Sequence, residues 1–261
     1  MDRTSPGMAQ LASHPFSVFV LSIVMMSFAA WLGASVLRRA KPLDDDARDD
    51  FGVVQSAVLT LLALVIGFSL SMAVGRYDQR KNFEEEEANA IGTEFIRADL
   101  LPGPAAANVR ALLVKYIDQR IQYYQVHDAQ RLTQIDAATT QLETQLWAAA
   151  TADAAALPNP LTALVVAGMN DVINTQGYTQ AAWRNRIPSA AWALLMVVGL
   201  FANLLVGYGV RTATATRRFL LIMPMVVSLS FMLIADIDSP RNGIIRVAPQ
   251  NLISTAQSLR P

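Results

Sequence analysis

Four stretches of the sequence carry no charged residue over a length that would cross a lipid bilayer. A membrane-spanning helix needs roughly 20 residues, within a range of about 17–25, so three of the stretches fit easily and the last is just long enough. Their boundaries carry Arg or Asp, which is unusual for the buried helices of a soluble protein. The pattern predicts four membrane spans: Phe16–Leu37, Val53–Gly75, Ile187–Val210 and Phe219–Ala235.

The first stretch has an alternative interpretation as a signal peptide, because the small residues of LGAS could form a cleavage site. Its apolar part is too long for the core of a signal peptide, and the basic sequence RRAK follows it as a stop-transfer signal. We therefore expect this span to be retained.

A polar block, Arg76–Arg186, separates the second and third spans, and its apolar residues recur at helical spacing. One predicted helix collects Val109, Leu112, Leu113, Tyr116, Ile117 and Tyr124 on a single face. No segment of any length alternates as a half-buried strand would, so the predicted fold class is all-α. The predicted organisation is a first transmembrane helix pair (16–75), a helical extramembrane insert (76–186), a second transmembrane pair (187–235) and a C-terminal tail packed on the protein (236–261).

The second span carries a stripe of small residues at a spacing of three and four. It consists of Ser56, Thr60, Ala63, Gly67 and Ser71. Such a stripe allows another helix backbone to approach closely, and it also suits a helix that lines a water-filled path in an oligomer. Both interpretations remain open. The adjacent apolar residues Leu64, Phe68 and Met72 would form a constriction on such a path, where loss of water can close a pore.

The second span runs without proline into four consecutive glutamates, so we expect one helix to continue from Val53 to about Asp99. Because successive helix residues turn by about 100°, the four carboxylates spread around most of the helix. One interpretation is a solvated collar of charge. The alternative is a ring of carboxylates at the mouth of an ion path in a symmetric oligomer, which would concentrate cations. The residues concerned are Glu84, Glu85, Glu86 and Glu87.

Three charged residues follow the last span: Asp236, Asp238 and Arg241. The simpler interpretation is that they are carboxylates at the membrane boundary paired with an arginine. The alternative is an ion or gating site that is completed by the long helix of a neighbouring subunit.

The composition excludes several kinds of function. Of 261 residues, 53% are hydrophobic and 16% are charged, and the net charge of +0 leaves no basic surface for nucleic acid. There is no Cys, and neither His14 nor His127 has a second kind of ligand at metal-binding spacing. We therefore predict no bound metal and no cofactor. Since the spans hold no nucleophile–base pair, we also predict that the protein is not an enzyme.

Several motifs from the second span onward carry a family resemblance. They are QSAVLTLLALVIGFSLSMAVGRYDQRKNFEEEEANAIGTEFIRADLLP, NDVIN, RIPSAAW and DIDSPRNGIIRV. In these motifs the sequence resembles the bacterial membrane family of unknown function that is often labelled bestrophin-like. The resemblance covers most of the chain from Val53 onward, and EEANAIGTEFIRADLLP is specific to it. It implies a four-span α-helical protein that is oligomeric and related to bestrophin ion channels.

Two functions fit these observations. The first is an ion channel for inorganic ions, a homo-oligomer in which the second span lines the path. The second is a non-conducting membrane scaffold or sensor whose helical insert binds a partner through the helix around Tyr116 and Tyr124. In either case we expect a multi-pass protein in the lipid bilayer of the bacterial inner membrane.

Overall fold

The computed structural model describes residues 14–40, 42–156, 158–210 and 219–260. Within these ranges the chain forms helices and no strand, so the all-α prediction is confirmed. Residues 211–218, which join the third and fourth predicted spans, lie outside the described residues.

Eight helices of nine residues or more occur in the described ranges. In chain order they are α1 (Pro15–Leu32), α2 (Asp45–Arg97), α3 (Gly103–Gln125), α4 (Ala129–Ala156), α5 (Pro160–Arg184), α6 (Ser189–Gly209), α7 (Ile222–Asp238) and α8 (Gln250–Ser258). A π-helical turn, Gly33–Leu37, and a short helical turn, Arg38–Ala40, extend α1. Short 3₁₀ turns follow α2 at Ala98–Leu100 and precede α7 at Phe219–Leu221.

Helix α2 is continuous over 53 residues, so the prediction of one unbroken helix through the glutamates is confirmed. It contains no proline, and single glycines inside a helix cost only about 1 kcal/mol each. The helical run stops where Leu101 takes an extended conformation, with φ −89° and ψ 159°. That is the conformation expected of a residue that precedes a proline, here Pro102.

The chain forms two compact units, and α2 contributes residues to both. The first unit comprises Met1–Arg76 and Arg186–Arg246, and the second comprises Tyr77–Asn185 and Val247–Pro261. The first unit therefore contains α1, α6, α7 and the first part of α2. The second contains the rest of α2 with α3, α4, α5 and α8.

The first unit has a small apolar core and a largely apolar outer surface. Its core contains Met26, Leu62, Leu195, Val198, Ala202, Val227 and Phe231. Many large apolar side chains point outward, among them Phe28 at 59% exposure and Phe201 at 57%. Helical stretches at Pro15–Ala40, Asp46–Leu100 and Pro160–Gly209 are long and apolar enough to cross a membrane. An outward apolar surface on such helices is what a lipid environment requires.

Two glycines allow α1 and α6 to cross at backbone contact. A Cβ atom added to Gly33 would lie 2.1 Å from the Leu204 carbonyl oxygen, and one added to Gly207 would lie 2.0 Å from the Ala30 carbonyl oxygen. Both distances are far below van der Waals contact, so only glycine fits at either position. This is the close approach that small residues permit between membrane helices.

The helices of the first unit alternate in direction. The ring of Phe51, near the start of α2, meets the ring of Tyr208 at the end of α6 edge to face, with centroids 5.4 Å apart. At the opposite end Arg76 and Ile187, which lie where α2 leaves the unit and α6 begins, both contact Asp238 at the end of α7. Together with the crossing near their C-terminal ends, this makes α1 and α6 parallel to each other and antiparallel to α2 and α7.

The second unit has a larger core, built from helix faces with apolar spacing. Its central side chains include Ile91, Val109, Leu113, Ile117, Leu146, Val165, Met169 and Leu252. Helix α5 begins at a capping box in which the Asn159 side chain accepts hydrogen bonds from the backbone of Leu161 and Thr162, at 2.8 and 3.1 Å. Such a cap satisfies backbone donors that the first turn leaves free.

Helix α3 turns its tyrosine face inward. Tyr116 is fully buried and Tyr124 is 6% exposed, and the rings of Tyr123 and Tyr124 pack edge to face against Trp183 of α5. The sequence correctly placed Tyr116 and Tyr124 on one helix face. Other helices of the same unit cover that face, so a partner of this helix would have to contact its other residues.

Candidate functional site

The small-residue stripe of α2 lies on the exposed side of that helix. All five of its residues, Ser56, Thr60, Ala63, Gly67 and Ser71, are exposed. A Cβ atom added to Gly67 would meet nothing within 4 Å. The buried residues of this part of α2 are Leu62, Ser69 and Ala73, and Ser69 follows Gly67 by two residues, or about 200° around the helix. The stripe therefore forms no seam with another helix of the described chain.

The adjacent apolar residues are exposed as well. Leu64 is 52% exposed, Phe68 65% and Met72 40%. They continue the exposed face of α2 alongside the stripe, and together the two sets form a surface that mixes hydroxyl groups, backbone and large apolar side chains. The Thr60 hydroxyl donates to the Ser56 carbonyl of its own helix at 2.8 Å, and hydroxyl groups at this spacing can also bond to a neighbouring helix or to water.

Glu87 is the centre of a buried polar cluster in the second unit. Its carboxylate and the Arg120 guanidinium form an ion pair in which both side chains are fully buried. The Thr179 hydroxyl donates to the same carboxylate at 3.1 Å, and the Tyr124 hydroxyl lies at 3.5 Å. The Arg120 guanidinium also stacks over the Tyr123 ring, 4.6 Å from its centroid. Glu87 thereby connects α2 with α3 and α5.

The Glu87 charge controls the protonation of its neighbours. Burial alone would lower the pKa of Arg120, but the Glu87 carboxylate raises it above its ordinary value. Burial, with the Glu87 charge, raises the pKa of Tyr124 well above that of a free tyrosine. Arg120 therefore stays charged and Tyr124 stays neutral, which keeps the hydrogen-bond donors that the carboxylate needs.

Glu84 is buried against the C-terminal helix of the second unit. Its carboxylate accepts a 2.7 Å hydrogen bond from the Asn251 side chain and a 2.9 Å hydrogen bond from the backbone N–H of Leu252. These are donors in the first turn of α8, where a carboxylate is stabilised by the helix dipole. Burial raises the pKa of Glu84, while the two hydrogen bonds act to lower it.

The run of four glutamates is therefore divided into two pairs. Glu84 is 1% exposed and Glu87 is fully buried, whereas Glu85 and Glu86 are exposed. The prediction of a solvated collar of four carboxylates is wrong, and so is a mouth ring that uses all four. The physical reason is that Glu84 and Glu87, three residues apart on the helix, face the core of their own unit and find donors there.

The two aspartates at the end of α7 bind backbone within the first unit. Asp236, 5% exposed, accepts hydrogen bonds from the N–H groups of Ile244 and Ile245 at 2.6 and 2.8 Å. A Cβ atom added to Gly243 would lie 2.2 Å from the Asp236 carbonyl oxygen, so the chain turns tightly around this residue. Asp236 thus holds the turn that follows α7.

Asp238, at the end of α7, connects that helix with α2 and with the segment just before α6. Its carboxylate accepts from the backbone N–H of Ile187 at 3.1 and 3.2 Å and pairs with Arg76 at 3.3 Å. Beside it, the Arg186 side chain donates to the Ser239 hydroxyl at 3.3 Å. Asp238 is buried and Arg241 is partly buried. A boundary carboxylate therefore pairs with an arginine here, in the Asp238–Arg76 ion pair. A site with a neighbouring subunit would first have to break these contacts.

Glu94 is a buried carboxyl group that the sequence did not reveal. Its side chain is fully buried, and neither carboxylate oxygen has a hydrogen-bond partner in the described part of the chain. It packs over Gly168 of α5, where an added Cβ atom would lie 1.9 Å from the Glu94 carboxylate. Burial raises the pKa of Glu94 to about 8; the Arg97 charge acts to lower it and the Asp171 charge to raise it. The Glu94 carboxyl is therefore largely neutral at pH 7.

In the described residues no group of three or more His, Asp or Glu side chains comes together in a way that could hold a metal ion. The geometry instead defines a class of protein: apolar helices of membrane-spanning length that carry an exposed polar stripe, with a helical unit folded around buried glutamates.

Comparisons with known proteins identify the family. The Bestrophin-like domain matches residues 18–252 of the chain. The chain therefore belongs to the Bestrophin-like family, as its motifs predicted. No curated protein matches the chain.

Solved structures of similar fold include bacterial bestrophin homologues. One from Klebsiella pneumoniae, carrying a point mutation, aligns over 94% of this chain and 97% of its own, with 14% identity and a TM-score of 0.63. Another mutant from the same organism covers 94% of both chains, with 12% identity and a TM-score of 0.65. A third structure, called a membrane protein, covers 92% of this chain and 95% of its own at 15% identity, with a TM-score of 0.64. At these low sequence identities, the structural similarity establishes the fold of this chain and nothing more.

We expect Glu87→Gln to destabilise the protein by about 3–5 kcal/mol, because Arg120 would remain buried without the carboxylate with which it pairs. The control is Glu86→Gln at the exposed neighbouring position, which should change stability by no more than about 0.5 kcal/mol. Denaturant unfolding of the purified full chain, followed by circular dichroism, measures both. Equal, small effects would show that Arg120 is not held in a dry environment.

We expect Glu94→Gln to remove a pH dependence of stability. Glu94 has a pKa near 4.5 when unfolded and about 8 when folded, so the folded state binds the extra proton between these values. Stability therefore falls as pH rises from about 4.5 to about 8, by at most about 1.4 kcal/mol per pH unit. Unfolding midpoints measured across this range should decline less steeply for Glu94→Gln than for wild type or Glu86→Gln. Parallel pH profiles for all three proteins would contradict the buried neutral carboxyl.

Proposed function

We propose that this chain is one subunit of an oligomeric ion channel in the bacterial inner membrane, with α2 lining the ion path. The characterised members of the Bestrophin-like family, to which the chain belongs, are ion channels. The observation that carries the proposal is the exposed face of α2, where Ser56, Thr60, Ala63, Gly67 and Ser71 have no buried position within the described chain. Several copies of α2 around one axis would give this face both helix neighbours and water.

Four membrane spans fit the alternation of helix directions in the first unit. Helices α1, α2 and α6 each supply a stretch of sufficient length and hydropathy. Helix α7 has 17 residues, the lower limit for a crossing helix, and it runs antiparallel to α6, as the next span of a multi-pass protein must. With four spans, the two ends of the chain lie on the same side of the membrane.

The apolar part of the exposed α2 face would supply the constriction of the path. Leu64, Phe68 and Met72 follow one another at intervals of four residues, so they stand one above another along one side of the helix. Repeated around an axis by symmetry, they would form rings of apolar side chains, which close a pore by excluding water when the helices come together.

The mouth of the path would carry fewer carboxylates than the sequence indicates. Glu84 and Glu87 are committed to the core of the second unit, so only Glu85 and Glu86 remain to act on ions. Their negative potential, repeated in each subunit, attracts cations over a distance of about 8–10 Å at moderate salt. Asp236 and Asp238 are occupied within their own unit and are not part of the proposed mouth.

We expect Gly67→Leu to impair assembly, since added bulk on the stripe would separate neighbouring helices. The matched control is Ala193→Leu, which adds bulk at an exposed position of α6. Val65 is unsuitable as a control because it packs against the core of the first unit. Native mass measurement of detergent-purified protein should show an oligomer for wild type and Ala193→Leu and a lower yield for Gly67→Leu. Equal yields would place the stripe against lipid.

Channel function is tested by reconstitution into planar bilayers with unequal KCl on the two sides. We expect the wild type to conduct with a reversal potential displaced toward that of K⁺. Changing Glu85 and Glu86 together to Gln should reduce this displacement, because the mouth loses its negative potential. The control changes Asp99 and Asp118 to Asn, which removes the same charge from surface ion pairs elsewhere in the second unit.

The outcomes separate the alternatives. If the Gln variant keeps the wild-type ion preference, Glu85 and Glu86 are ordinary solvated charges and selectivity arises elsewhere. If neither protein conducts with any ion, the chain is a non-conducting scaffold or sensor. Its partner would then have to bind outside the tyrosine face of α3, which is buried.

A further inference from the structure

A cavity of about 610 Å³ lies in the first unit, where α1 and α6 end and α7 begins. The cavity is lined by residues of the last turns of α1, of the π-helical turn that follows α1, and of the 3₁₀ turn before α7, together with Val210 after α6. The side chains that matter for its chemistry are Trp31, Ala34, Ser35, Arg38, Arg39 and Leu221. The volume lies within the range of about 300–1,000 Å³ that is typical of small-molecule sites.

The lining divides into a basic part and an apolar part. Arg38 and Arg39 stand on one side, while Trp31, Ala34 and Leu221 provide apolar walls. A second cavity of about 350 Å³ on the same helices is different, because its lining within the described part of the chain is apolar, with residues such as Phe28, Leu32 and Phe201. The larger cavity is therefore not simply a gap between apolar helices. It offers two positive charges next to a surface that excludes water.

The positions of Arg38 and Arg39 in the sequence agree with a cavity that has one basic and one apolar side. Arg38 directly follows Phe16–Leu37, a stretch with no charged residue. In a membrane-spanning α1 the guanidinium groups would lie at the level of the lipid phosphates, and Trp31, two turns earlier, would lie at the border of the hydrocarbon. The π-helical turn at Gly33–Leu37 lies between Trp31 and the two arginines. Such π-helical turns are rare and often occur at functional sites.

We propose that this cavity binds one phospholipid with an anionic headgroup, its phosphate held by Arg38 and Arg39 and its acyl chains lying along Trp31 and Leu221. Guanidinium groups match phosphate oxygens through paired N–H donors, and basic pockets between membrane helices are known to hold anionic lipid headgroups. The proposal rests on the membrane placement of α1 given above, but not on ion conduction.

The test is native mass spectrometry of the full-length protein in detergent, with phosphatidylglycerol or phosphatidylcholine of the same acyl chains added. We expect the wild type to retain one phosphatidylglycerol per chain and to discriminate against phosphatidylcholine. Changing Arg38 and Arg39 together to Gln should weaken retention of phosphatidylglycerol about 30-fold, from the usual contribution of a basic residue near a lipid surface. Changing both to Lys should restore much of it.

Two controls make the result specific. Arg131→Gln with Arg184→Gln removes the same charge from exposed positions of the second unit and should leave retention unchanged. Ala34→Phe fills the apolar side of the cavity without changing charge, and it should reduce binding of both lipids. This variant also keeps the proposal testable if the arginine variant does not fold.

Three results would overturn the proposal: equal retention by the Gln variant and wild type, no effect of Ala34→Phe, or displacement of the lipid by inorganic phosphate at low concentration. The last would identify a site for free phosphate. Lipid retention and conductance are measured separately, so a protein that binds the lipid but does not conduct would contradict only the channel function.

Discussion

The buried ion pair between Glu87 and Arg120 is the interaction on which the second unit depends. Removing an ion pair from water is costly, and the cost is recovered only if every charged group finds close partners. Here Arg120 of α3 and Thr179 of α5 supply them, on residues 33 and 92 positions away in the chain. Because these donors must converge on one carboxylate, the ion pair fixes how α2, α3 and α5 lie against one another. Apolar packing alone would define the rotation of each of these helices about its own axis less strictly.

The first unit cannot rely on the hydrophobic effect in the same way, since lipid tails are as apolar as its side chains. Its helices are held instead by contacts that lipid cannot provide. Gly33 and Gly207 bring two backbones together. The Asp238 carboxylate at the end of α7 binds the Ile187 N–H group just before α6 and the Arg76 side chain of α2. Asn203, buried in the same unit, donates its side-chain N–H to the Gly199 carbonyl of its own helix at 2.8 Å, while its side-chain oxygen has no hydrogen-bond partner in the described part of the chain.

Features that depend on local sequence could be predicted, and those that depend on distant partners could not. The continuity of α2 follows from the absence of proline, and the apolar face of α3 follows from its spacing. Which glutamates of the run face inward is set by the rotation of α2 in the assembled unit, which no neighbouring residue reveals. The same holds for Glu94, which looks like an ordinary helical glutamate. The one sequence feature that corresponds to it is Gly168, some seventy positions later, whose missing side chain makes the room.

The last helix of the chain completes the core of the second unit, which has a consequence for the order of synthesis. Leu252 and Ala256 of α8 are buried in that core, and Asn251 and Leu252 supply the donors for Glu84. The ribosome makes them roughly 65 residues after Asn185, which at about 5–20 residues per second is several seconds later. During that interval α6 and α7 are synthesised, while the Glu84 carboxylate still has water as its partner. The second unit can therefore close only after the membrane helices have been made, so a chain that stalls or is cut before Val247 leaves an apolar groove open to solvent.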